Sequence, residues 1–208
     1  MAVPNRKSVL SEQILEAAGK RPEGSLLAAK QFLGLGSRAA VDQALRRLAV
    51  RGKLIKIARG RYALPITSRF GTRPPAPEVV IAQLNREGAQ QLVSSGAAAA
   101  NALGLTTQMP VQQTFLARTR SQKCYVFGKQ QVTIRTAASW NFLFPDRPAG
   151  QAIRALTWLG PDQASAALPT LRRVLPPVEW DALLSVRAEL PLWLAELLSG
   201  ADVSPRDQ

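Results

Sequence analysis

The stretch SLLAAKQFLGLGSRAAVDQALRRLAVRGKLIKIARGRYAL, Ser25 to Leu64, decides how this chain is read. Its spacing predicts a helix capped by Ser25, with Leu26, Leu27, Ala29 and Phe32 on one face, ending at Gly34 and Gly36. Ser37 then caps a second helix, in which Val41, Ala44, Leu45 and Leu48 recur at helical spacing up to a stop at Gly52. That stripe leaves Ala39, Asp42, Gln43, Arg46 and Arg47 on the opposite side. A short ribbon follows. Ile55, Ile57, Tyr62 and Leu64 alternate with Lys56, Arg61 and Ala63 about a turn at Arg59-Gly60. The apolar set is expected on the helices, with Lys56, Arg59 and Arg61 pointing outward.

Helix, turn, basic helix and basic hairpin in this order predict a winged helix-turn-helix. Arg pairs with guanine and Gln with adenine in a major groove, so the Gln43, Arg46 and Arg47 side of the second helix is the side expected against double-stranded DNA. An arginine at a wing tip can enter a minor groove or hold a phosphate. The plainer alternative is that these side chains only solubilise a small helical domain.

Charge supports the sharper reading. The chain has 208 residues and a formal charge of +13. Residues 1–77 hold 15 basic and 4 acidic side chains, and residues 78–208 hold 12 and 10. A polyanion drawn to the first part would release counterions, which makes binding steeply salt dependent. No lipidation motif, signal-like run or apolar span points to a membrane, so a cytoplasmic protein is expected.

The residue inventory argues against catalysis. With no histidine and a single cysteine, Cys124, the chain cannot build a Ser-His-Asp or Cys-His site, a disulfide within one chain, or a thiolate-imidazole zinc centre. Cys124 opens the run Cys124-Tyr125-Val126-Phe127 and is expected to be a buried strand residue. There is no DxD or ExxE carboxylate pair and no GxxxxGK[ST] loop. No catalytic residue, metal site or cofactor is therefore expected.

Pro65 to Pro77 is rich in proline, glycine and small polar residues, which predicts an extended spacer. The expected organisation is an N-terminal domain over 1–68, a linker over 69–77 and a C-terminal domain over 78–208. In the last part, Glu78 to Glu87 reads as a helix and Gln91 to Ser94 as a strand. Ser95 caps the small-residue helix Gly96 to Leu103. Strands are expected over 113–117, 123–127 and 131–135, with Gly128-Lys129 as a hairpin turn. From Ala149 onward the pattern is helical, cut by prolines at 161, 169, 176, 177 and 191. The fold class is α+β: a winged helix-turn-helix, then a mixed domain with a small sheet and a C-terminal helical cluster.

The run GSRAAVDQALRRLAVRGKLIKIARGRYALP, followed after the proline-rich segment by SSGAAAANALGLTTQMP, resembles the AbiEi family of antitoxins in type IV toxin-antitoxin systems. The resemblance covers about two thirds of the chain, from Ser37 into the strands after Pro110. It implies an N-terminal winged helix that represses its own operon and a C-terminal domain that counters a nucleotidyltransferase-type toxin. It also implies DNA contacts at Arg38, Gln43, Arg46, Arg47, Lys56, Arg59 and Arg61. With Ser37 and Asp42 at the same helix, these form the candidate DNA-binding set. No motif singles out residues that neutralise a toxin.

Three functional readings stay open on the sequence: an autoregulating antitoxin on operator DNA, a stand-alone regulator whose C-terminal domain senses a ligand or dimerises, and a protein-interaction module. Whether the chain sits on DNA as a homodimer, and whether it meets a toxin directly, are open as well.

Overall fold

The computed structural model describes residues 6–203, apart from residues 70, 89–90, 109–111 and 120. It is a mixed α+β protein with small antiparallel sheets and several helices. The chain divides into two compact units, one formed by Met1–Gln90 with Cys124–Val132, the other by Gln91–Lys123 with Thr133–Gln208. The boundary falls near residue 90, beyond the segment 69–77 where the sequence places it.

The first unit opens with α1 (Arg6–Gly19), a helix outside the elements expected from the sequence. Its signal is nonetheless present: Leu10, Ile14 and Ala18 lie four residues apart, and Ile14 and Ala18 are completely buried. The expected helix after Ser25 is shorter and tighter than predicted, a 3₁₀ helix over Ala29–Leu35. Leu26 and Leu27 precede it outside the helix, and Leu27 exchanges backbone hydrogen bonds with Tyr62, N to O at 2.7 Å and O to N at 3.0 Å. Among the described residues the Ser25 hydroxyl caps nothing and, though buried, has no hydrogen-bond partner.

α2 (Arg38–Val50) is as predicted. Ser37 accepts a hydrogen bond from the Ala40 N–H at 3.3 Å, which satisfies one orphan donor of the first turn. Val41, Ala44, Leu45 and Leu48 are buried and pack with Ile14, Ala18, Leu27, Phe32, Leu54 and Tyr62. β1 (Ile55–Ala58) and β2 (Arg61–Ala63) form the antiparallel hairpin, and Gly60 at φ 66° takes the left-handed position of its turn. Its register differs from simple alternation. Ile55 lies opposite Ala63 and Lys56 opposite Tyr62, with a bulge between Lys56 and Ala58. Tyr62 therefore pairs with Lys56, and Ala63, expected outward, is fully buried.

The supposed spacer also folds. β3 (Ile66–Ser68) and β4 (Gly71–Arg73) pair as a second hairpin, Ile66 opposite Arg73. The prolines at 74, 75 and 77 follow it, where they terminate the ribbon and start α3 (Pro77–Arg86). α3 approaches the α1 to 3₁₀ connection closely: a Cβ on Gly24 would meet Val79 Cγ1 and the Val79 carbonyl oxygen, each at 2.9 Å.

In the other unit, Ser95 caps α4 (Gly96–Ala102) by accepting from the Ala98 N–H at 3.4 Å. There β5 (Leu92–Ser94) pairs antiparallel with β6 (Gln113–Ala117), and with β7 (Lys123–Phe127) and β8 (Gln130–Thr136) they have the strand order β5-β6-β8-β7, Cys124–Val132 of the last two strands being counted with the first unit. Along β7 the two-residue period turns Tyr125 and Phe127 inward. Cys124 is consequently exposed, not buried, and its sulfur accepts from Gln131 Nε2 at 2.8 Å. α5 (Pro148–Val174) kinks at Gly160, φ 74°, before Pro161, whereas Pro169, expected to end a helix, lies inside it. With α6 (Pro177–Ser185) and α7 (Leu192–Val203), it buries Ile153, Leu156, Leu171, Leu183, Leu194 and Leu198 in one core. A cavity of about 320 Å³ opens among the start of α4, residues 154–158 of α5 and strands β6 and β8. Among the described residues no helix is long and apolar enough to cross a membrane, and no group of His, Cys, Asp and Glu could hold a metal ion.

Candidate nucleic-acid interface

All nine predicted DNA-binding residues lie in the first unit, on α2 and the β1-β2 hairpin that follows it. The helix geometry sorts them. Asp42, Gln43 and Arg46 are exposed on the side away from Val41, Ala44, Leu45 and Leu48, Arg38 is exposed as the first residue of the helix, and Arg47 is half-buried. Ser37, exposed at the helix start, has its hydroxyl engaged in the cap, so its first role is to begin the helix. Arg38 Nε donates to Asp42 Oδ2 at 3.0 Å, a pair one turn apart with both partners solvated. Such a pair contributes only about 0.3–0.5 kcal/mol. A phosphate can therefore compete for Arg38 at little cost.

The hairpin is held to the helices from below. Leu54 N–H and Lys53 N–H both donate to the Leu48 carbonyl, at 3.2 and 2.9 Å, which fixes where the strand leaves α2. Lys56 and Arg59 are exposed, Lys56 on β1 and Arg59 in the turn. Arg61 is different. It is half-buried, and its charge acts on Tyr125 of the same unit, opposing the burial that raises the Tyr125 phenol above its ordinary value. Arg61 thus belongs partly to the protein interior. The β3-β4 ribbon adds the exposed Arg69 and Arg73, cations of the segment expected to be a spacer.

α2 therefore presents Gln43 and Arg46 on its exposed side and Arg38 at its start, against a single acid, Asp42, already paired. Planar guanidinium and amide groups on one helix can read base edges, and the cations of the hairpin can hold phosphates.

The chain belongs to the family of unknown function DUF6088. The DUF6088 model matches residues 13–175, so it takes in the second half of α1, all of α2, both hairpins, the four-stranded sheet and α5. Among solved structures, the crystal structure of the RV2827C protein from Mycobacterium tuberculosis is similar at 14% identity and a TM-score of 0.49. That likeness covers 95% of this chain and 78% of the other. No curated protein matches the DUF6088 chain in sequence.

If the hairpin touches phosphates, replacing Lys56, Arg59 and Arg61 together with Gln lowers DNA affinity and makes its salt dependence shallower, by up to about 0.9 in logarithmic slope for each phosphate no longer neutralised. Affinities at several salt concentrations, with circular dichroism to check the fold, test this. An unchanged slope removes the hairpin from the interface.

Proposed function

We propose that this DUF6088 protein is a DNA-binding antitoxin of a type IV toxin-antitoxin system, one that represses its own operon and counters a nucleotidyltransferase-type toxin. In this reading the first unit is a winged helix, with α2 as the recognition helix in a major groove and the β1-β2 hairpin as the wing. The observation that carries DNA binding is that Arg38, Gln43 and Arg46 of α2 are exposed, and that a hairpin with exposed Lys56 and Arg59 follows the helix directly. Its excess positive charge, 15 basic against 4 acidic residues over 1–77, supports the same reading through counterion release. The antitoxin role rests on the resemblance of the α2, hairpin and α4 sequences to AbiEi antitoxins.

A stand-alone regulator with a ligand-sensing C-terminal unit is the second reading, and the cavity in that unit favours it. One pair of experiments separates the two. The full chain should shift a fragment of its own promoter at concentrations that leave random DNA free, and co-expression should protect cells that express a cognate nucleotidyltransferase-type toxin. Equal affinity for both DNAs removes the repressor assignment. Specific DNA binding without protection leaves the regulator alone.

A further inference from the structure

Arg154, on α5, is the largest side chain buried to this degree among the described residues, at 2% exposure. Its Nη1 donates to the Asn141 carbonyl at 3.2 Å and its Nη2 to the Pro145 carbonyl at 3.4 Å, while its Nε has no hydrogen-bond partner. Among the described residues no carboxylate forms an ion pair with it. Asp146 acts on it only at a distance, and burial outweighs that help, pushing the guanidinium down to about 10. It is still a cation at neutral pH. Buried charges are as a rule paired, because two carbonyl dipoles replace little of the lost hydration.

Arg154 is among the residues that line the cavity of about 320 Å³ in the second unit. Arg135, exposed on β8, lines it too, and among the described residues no Asp or Glu does. Ser95 lines it with a hydroxyl that accepts from the Ala98 N–H and keeps its own proton to donate. Trp158, one turn along α5 from Arg154, adds an indole that is 45% exposed, unusual for so large an apolar group. The arrangement depends on Gly96: a Cβ there would run into Trp158 Cβ and the Arg154 carbonyl oxygen.

We propose that this cavity binds a small phosphorylated ligand of the nucleotide class, its phosphate taken by Arg154 and Arg135 and its planar base laid on Trp158. Guanidinium groups suit phosphate because their donors match two oxygens at once, and an indole face accepts any base. The volume lies at the lower end of the range for ligand sites, which suits a mononucleotide or the terminal nucleotide of a strand. The inference is independent of the DNA-binding reading, since every residue it uses lies in the other unit.

Calorimetric titration of the full chain with adenosine 5′-monophosphate tests it, with adenosine and inorganic phosphate as comparisons and a short 5′-phosphorylated oligonucleotide to tell a free nucleotide from a strand end. The monophosphate should bind at one site, phosphate should compete, and adenosine should not bind. Arg135→Gln, at an exposed position, should weaken binding by about tenfold, the weight of one charge-assisted contact. Arg154→Met should abolish it. The Lys56, Arg59 and Arg61 triple Gln variant should bind the monophosphate unchanged. No heat with either phosphate compound overturns the proposal, as does equal binding of adenosine. Binding that survives Arg135→Gln but is lost in the triple variant assigns the anion to the basic first unit instead. Should Arg154→Met fail to fold, Arg135→Gln decides alone.

Discussion

Arg46→Ala lowers affinity for the operator by about 5- to 150-fold, equivalent to roughly 1–3 kcal/mol, and weakens random-sequence DNA far less. The expectation follows from where Arg46 stands. It is exposed near the middle of α2, and among the described residues it has no ion-pair partner, in contrast to Arg38, which is held by Asp42. Its side chain supports no part of the core, and alanine is the better helix former, so the variant should fold as the parent does. The loss would then belong to DNA contacts alone. Titrations on operator and random duplexes at one fixed salt concentration separate the two roles of an arginine. A larger loss on the operator assigns base reading, and equal losses make Arg46 a phosphate clamp. No loss on either DNA removes the exposed side of α2 from the interface.

What could be read from the sequence depended on how much of each element's environment is local. α2 was legible to within a residue because its cap, its stripe and its glycine stop all lie within one short run, from Ser37 to Gly52. β6, β7 and β8 were legible for the same reason, each a short β-branched or aromatic run beside a turn residue such as Gly128 at φ 64°. The failures have a common cause. Leu26 and Leu27 look like one face of a helix, yet Leu27 pairs with Tyr62, thirty-five positions away, and the strand-like pairing wins. The β3-β4 hairpin was hidden because Pro65 and the later prolines mark its ends, while the Ile66 to Arg73 pairing between them leaves no strong apolar alternation. Cys124 sits in an apolar run, yet the period of two along β7 turns it outward while Tyr125 and Phe127 face in.

The candidate interface was therefore largely visible beforehand, since exposure on a helix follows from its period. Arg47 and Arg61, both half-buried, were the exceptions among the nine, and for Arg61 the bulge and the presence of Tyr125 beside it are tertiary facts. The second site was invisible. An arginine in a helix is normally a surface residue, and nothing near Arg154 in sequence announces that Asn141, Pro145 and Ser95 converge on its surroundings. Buried cations of this kind are found only by following the packing.

That packing makes a strong demand at a single glycine. Gly150→Ala should destabilise the second unit by about 1–3 kcal/mol or more, the usual cost of overfilling a packed site. Helix propensity alone predicts the opposite sign, a gain of about 0.8–1.0 kcal/mol, because Gly150 has no positive φ and lies within α5. Space decides against it. A Cβ at residue 150 would run into the carbonyl oxygens of Phe144 and Leu143, and would stand 2.8 Å from the Phe144 carbonyl carbon. These are backbone atoms and cannot swing aside. Phe144 is already in the left-handed region, at φ 47°, which is costly for an aromatic residue. The helix start cannot retreat freely either, since Glu179 of α6 accepts from the Ala149 N–H at 3.0 Å and from Arg147 Nε at 3.1 Å. All four tryptophans, at 140, 158, 180 and 193, fall in the second unit, so their fluorescence during urea unfolding reports this unit directly. Gly19→Ala, at the end of α1 with nothing within 4 Å of its Cβ, is the control and should leave that transition where it is. A Gly150→Ala transition at or above the parent's urea midpoint would show that the carbonyls of residues 143 and 144 can move away from α5, and that helix propensity prevails there.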